Sequence, residues 1–288
     1  MFVNSVDSSF DTTVTTLHTG AMPELRDFEL DGAAWREAGA GELVVLLHGL
    51  GGSRISWEPQ LHGLGNTRRV AAWDLPGYGA AAPLPDDPLT FRALAGAAAR
   101  FVELLGAEQA HVVGISMGGM IAQYLAAWYP TRVRSLTLLS TSPAFGLDGT
   151  DPVDWRAARL APLDQGLEPA DFAPRVLRGL AGPLITELAF TGQVAAMSRI
   201  SGAALRRSVG CIVTHDSRPL LAGITAPTLV LVGELDEETP LPYAQYLADH
   251  LPHATLEFVP GAGHLLNVEA ADLVNDLIAQ HLVRVEAA

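Results

Sequence analysis

Short apolar runs of strand length alternate with longer alanine-rich stretches along most of this chain, and that alternation restricts the fold more than any other feature. The runs are 43–47, 69–73, 111–115, 133–140, 228–232 and 255–259. Their middles are apolar without alternation, as expected of strands buried on both faces of a parallel sheet. Helical stretches at 91–105, 117–128, 241–250 and 268–282 separate them, with Gly106, Pro130 and Pro252 where helix stops belong. Segments 24–30 and 33–37, joined by Asp31-Gly32, predict a hairpin on one sheet edge. The fold class is therefore α/β, a mostly parallel central sheet flanked by helices.

The alternation fails once. Between residues 142 and 221 there is no convincing strand, only short helical pieces punctuated by prolines, and such a length is too great for a plain connection. We read it as a helical cap inserted into a core made of 23–141 and 222–288. Residues 1–22, rich in Ser and Thr, read as a flexible N-terminal arm. They carry no cation and no apolar run of signal-peptide type, and nowhere does the chain reach the roughly 18 apolar residues of a membrane span.

Composition excludes several chemistries. A net charge of −14 would repel a phosphate backbone or an anionic leaflet, so neither a nucleic-acid nor a membrane partner is expected. All 18 basic residues are arginines, which removes Schiff-base and Walker-type lysine chemistry. The single cysteine, Cys211, can form no internal disulfide; it reads as a buried small hydrophobe in a chain from a reducing, cytoplasmic compartment. The alanine, glycine and arginine usage fits a GC-rich bacterial genome. Oligomeric state is left open, with a homodimer among the options.

The run 111–115 leads into Gly114-Ile115-Ser116-Met117-Gly118-Gly119 and then an alanine-rich helix. This is G-x-S-x-G in a strand, sharp turn, helix context, which presents a nucleophilic serine at the sheet edge. A serine hydroxyl needs a base, and the base an orienting acid. His264, in Pro260-Gly261-Ala262-Gly263-His264, is the best placed of nine histidines. His62, His250, His253 and His281 read as solvated, and a metal pair from His250 and His253 is discounted because Pro252 interrupts them. Among the four carboxylates of 233–240, Asp236 is the expected orienting acid, while Glu234, Glu237 and Glu238 read as a solvated lip. For the oxyanion hole the expected N–H donors are Met117 and Leu50, the latter in His48-Gly49-Leu50-Gly51-Gly52-Ser53.

These motifs, with Trp73-Asp74-Leu75-Pro76-Gly77-Tyr78-Gly79, resemble the α/β-hydrolase superfamily. Within it the chain is most similar to enol-lactonases of the 3-oxoadipate type, through 47–53, Gly233 to Asp236 with Thr239-Pro240, and Asp216 to Leu221. Ala80 departs from the serine common there. The resemblance implies cleavage of an ester or lactone with no metal or organic cofactor, the partner being a small-molecule substrate. Three rivals are weighed, and Ser116 argues against the second. C–C hydrolases of the meta-cleavage type share Ser-Met-Gly-Gly but carry Asn where this chain has Ile115. Epoxide hydrolases and dehalogenases use an aspartate where Ser116 stands, and a non-catalytic receptor on this fold would keep all three residues.

The cap candidates for substrate contact are Trp155, Arg156, Arg175, Phe190, Met197 and Arg218, with Phe172 as a further apolar wall. The segment carries eight arginines and eight acids, so a neutral lid whose arginines could hold a substrate carboxylate is one expectation. The plainer alternative is exposed arginines paired with nearby acids.

Overall fold

A computed structural model describes residues 22–288, so the expected arm lies, but for Met22, outside the described residues. Eight strands form one sheet: β1 Arg26–Leu30, β2 Ala33–Ala38, β3 Leu43–Leu47, β4 Arg69–Asp74, β5 Ala110–Ile115, β6 Val133–Leu139, β7 Thr228–Gly233 and β8 Ala254–Val259. Their spatial order is β1-β2-β4-β3-β5-β6-β7-β8, with β2 antiparallel to both neighbours and every other pair from β4 to β8 parallel. The hairpin turn takes positive φ at Asp31 and Gly32, 51° and 79°, the conformation a two-residue loop demands.

Eleven helices are seen among the described residues. They are α1 Glu58–Leu64, α2 Phe91–Leu104, α3 Met117–Trp128, α4 Pro152–Asp164, α5 Pro169–Leu180, α6 Glu187–Met197, α7 Gly202–Ile212, α8 Arg218–Leu221, α9 Leu241–His250, α10 Leu266–Glu269 and α11 Ala271–Glu286. The stretch expected as one helix at 268–282 is thus two, because Ala270 leaves helical geometry at φ −128°. Helix α1, opened by Pro59 in its first turn, had no counterpart in the sequence reading.

Inner-strand side chains alternate between two apolar layers. Val45 and Leu47 of β3 face one, with α2, α3 and α9, while Val44 and Leu46 face the other, with α1 and α11. Each such fully buried Val or Leu stabilises the fold by roughly 1.5–3 kcal/mol. One strand departs from expectation: β8 is the open edge of the sheet, with Glu257 and Phe258 exposed. Among the described residues no further strand pairs with β8, so its outer edge meets solvent, while Val259 stays fully buried. His281 departs the other way, on the buried face of α11 and not solvated.

Five helices, α4 to α8, lie between the adjacent strands β6 and β7. The two ends of this segment are tied together by a bridge between Ala144 and Asp216, Phe145 N–H donating to His215 O at 2.8 Å and Ser217 N–H to Pro143 O at 2.8 Å. No helix among the described residues is long and apolar enough to cross a membrane.

Candidate active site

Loops at the carboxyl ends of β3, β5, β7 and β8 meet where the chain leaves β3 and β5 in opposite directions, the crevice in which open α/β sheets bind ligands. Ser116 sits there between β5 and α3 at φ 53°, ψ −120°. That strained conformation, rare for a residue with a side chain, is held by close backbone packing. A Cβ on Gly114 would fall 2.4 Å from Gly118 O, and one on Gly118 2.0 Å from Leu47 O, so both positions must be glycine.

His264 and Asp236 meet from the other two loops. The His264 Nδ1–H donates to Asp236 Oδ1 at 3.0 Å and lies 3.1 Å from Oδ2. Asp236 also accepts from the N–H groups of Glu238 and Thr239, both at 3.0 Å, and from the Thr239 hydroxyl at 2.9 Å. Burial opposes ionisation of Asp236, but the histidine charge and these donors outweigh it and hold its carboxyl down at about 2. Burial likewise opposes charge on His264, yet the carboxylates of Asp236, Glu238 and Glu269 prevail and raise its pKa above the ordinary histidine value. His264 and Ser116 face one cavity and are not hydrogen-bonded to each other.

The β3 loop lies against the serine: a Cβ on Gly49 would come 3.0 Å from Ser116 Cβ. His48 braces this loop, its Nδ1–H donating to Gly49 O at 2.9 Å and its Nε2 accepting from Leu75 N–H at 3.0 Å. Those roles require the neutral ring, which burial favours by lowering its pKa. Among the described residues, neither Leu50 N–H nor Met117 N–H is taken up by a backbone or side-chain acceptor.

Ser116 stands between two chambers. One, of about 100 Å³, is walled by Phe172, Val176, Leu177 and Leu180 of α5, Met197 of α6 and Leu205 of α7, and holds His264. The second, of about 80 Å³, is formed by Phe145, Asp148, Trp155, Thr239 and Tyr243. Leu50, Ser116 and Glu238 line both.

The candidate substrate contacts divide. Met197 and Phe172 line the first chamber and Trp155 the second. Phe190 is buried beneath Arg178, 3.7 Å from its ring centroid, and lines neither. Arg156 and Arg175 are exposed and line neither chamber. Arg218 is exposed and held in a two-pronged pair with Asp216 at 2.8 and 2.7 Å. The arginine that reaches the first chamber is Arg159, one turn beyond Trp155 and 4.9 Å from its ring centroid. Glu238, expected in a solvated lip, is half-buried and pairs with Arg159 at 2.5 Å. The i, i+4 spacing of Trp155 and Arg159 was the available signal.

Glu269 was also missed. Its buried carboxylate accepts N–H groups from Gly182 (3.0 Å), Gly263 (2.8 Å) and Leu265 (3.0 Å), clasping the segment after α5 to the His264 loop. Gly182 and Gly263 touch backbone to backbone there; a Cβ on Gly263 would lie 2.6 Å from Gly182 N. Cys211 is buried, which pushes its thiol up to about 12 and leaves it inert. No three His, Cys, Asp or Glu side chains among the described residues are grouped to hold a metal ion.

Comparison with known proteins agrees with this architecture. A profile described as "Alpha/beta hydrolase family" matches residues 44–277. The chain belongs to that family. A pimeloyl-[acyl-carrier protein] methyl ester esterase of Chromobacterium violaceum is 34% identical to this hydrolase over 242 residues, 78% of this chain and 88% of its own. Among solved structures, a hydrolase from Pseudomonas aeruginosa superposes with a TM-score of 0.77 at 27% identity, covering 90% of this chain and 98% of the other. The enol-lactonase of Burkholderia xenovorans shares the fold, with a TM-score of 0.72 at 23% identity over 90% of this chain and 100% of its own.

Proposed function

We propose that this hydrolase cleaves a small carboxylic ester or lactone through an acyl-enzyme. The observation that carries the reading is the strained Ser116 facing one cavity with an aspartate-paired, buried His264. Ser116 Oγ attacks the carbonyl carbon while His264 Nε2 takes its proton; Asp236 holds the ring tautomer and stabilises the imidazolium. The carbonyl oxygen becomes an oxyanion between the free N–H groups of Leu50 and Met117, where each donor supplies a few kcal/mol of barrier lowering. His264 returns the proton to the departing alcohol, or to the ring oxygen of a lactone. Water, deprotonated by the same histidine, then releases the acid.

The Ser116 to His264 contact closes when substrate arrives, a looseness usual beforehand. Helices α4 to α8 serve as the cap, and the chamber that α4 to α7 help to wall takes a short acyl group: an engineered cavity of about 150 Å³ holds one benzene, and this one is smaller. The methyl ester named for the Chromobacterium relative supports an ester as the substrate bond. The test is Ser116→Ala, assayed on short-chain nitrophenyl esters with circular dichroism as the check of fold. Turnover should fall by about 10,000-fold or more. Retention of more than a few per cent of the rate by a folded variant would sink the assignment.

A further inference from the structure

The charge pattern of the two chambers leads further, on the strength of the hydrolase reading. Among the described residues, Arg159 is the one arginine lining either chamber, and two carboxylates, Glu238 and Asp148, line the pair of chambers. Its guanidinium is already engaged, bonded to Glu238 at 2.5 Å and laid over Trp155. We propose that Glu238 is a specificity-determining residue: by occupying Arg159 it sets this site against anionic substrates and in favour of neutral esters.

A substrate carboxylate entering beside Ser116 would have to displace a carboxylate tethered to the same protein. A tethered group competes at an effective concentration in the millimolar range or above, so a free substrate at ordinary concentration loses. Were it to bind without displacing Glu238, it would meet a net negative lining in a partly desolvated cleft, where like charges repel most strongly. Glu238 itself is held in place from below, because its backbone N–H donates to Asp236 at 3.0 Å. The arrangement therefore keeps an arginine in the pocket without offering it to an anion. The arginine can act as wall, its stem and plane covering Trp155.

Glu238→Gln keeps the size and the backbone bond while removing the charge that holds Arg159. Two nitrophenyl esters serve as probes, alike except that the far end of the acyl chain is a carboxylate in one and the isosteric carboxamide in the other. Both present the same scissile bond, so the ratio of their kcat/KM values cancels any change in His264 basicity or in Ser116 geometry. The wild-type protein should favour the carboxamide by about tenfold or more, and Glu238→Gln should move the ratio about tenfold toward the carboxylate. Adding Arg159→Gln to that variant should erase the gain. A wild-type preference for the carboxylate, or a ratio within about twofold of wild type in Glu238→Gln, overturns the inference. Turnover of both esters with an unmoved ratio does so while leaving the hydrolase reading standing; failure of wild type to release nitrophenol from either overturns both.

Discussion

Ser116, Asp236 and His264 ride on loops leaving β5, β7 and β8, whereas Arg159, Phe172 and Met197 come from helices that no strand anchors. The loop residues are fixed by short-range backbone geometry: two glycines that admit no Cβ, and an aspartate filled with donors from its own loop. The helix residues are fixed by which face each helix turns inward, and α4, α5 and α6 each depend on contacts with partners far away in sequence. One half of the site therefore reads out locally. The other half exists only once the helices are packed.

That contrast can be broken at the loop half first. Replacing His264 with Ala should cost nearly as much as replacing Ser116, about 10,000-fold in kcat/KM, and the double variant should be little worse than either single one because the pair acts as a unit. Additive losses would show that the two do not serve one step. The measurement is kcat/KM of the three variants on one ester.

The join between the halves should give an intermediate effect. Glu269→Gln keeps shape but loses the charge that receives three N–H groups, leaving at least one donor facing an amide N–H. We expect a loss of about 2 kcal/mol, lowering Tm by roughly 4–8 °C, read by thermal denaturation. The same variant should shift the pH profile. His264 must be neutral to accept a proton and its pKa is raised, so wild-type kcat/KM should rise with pH through a midpoint above the ordinary value of about 6.5. Removing the Glu269 charge removes one of the causes of that rise, so the midpoint should move down. A lower Tm with an unmoved midpoint would make the clasp structural alone.

The smallest effects belong to the outer faces of the helical half. Arg156→Gln, Arg175→Gln and Arg218→Gln should each change kcat/KM by less than about twofold, since all three are exposed and line neither chamber. A larger loss in any one would return that arginine to the site and erase the distinction drawn here between inward and outward faces.

What the sequence determined by itself is what is encoded within a few residues: strand runs apolar on both faces, a glycine-flanked serine between strand and helix, an Asp-Gly hairpin, and histidine and aspartate on loops after the last strands. Each rests on local sterics or on periodicity. Those signals could not tell that β8 is an edge strand among the described residues, since Leu256, Phe258 and Val259 look as apolar as any inner strand, yet Phe258 is exposed. Nor could they pick Arg159 from eight arginines, or show that Glu238 reaches across 79 positions to neutralise it and Glu269 across 87 to clasp Gly182. Partners that far apart are chosen by packing, through the way five helices between β6 and β7 settle over the carboxyl ends of the strands. The charge lining the candidate site was therefore decided by tertiary structure, while the order of Ser116, Asp236 and His264 was already written along the chain.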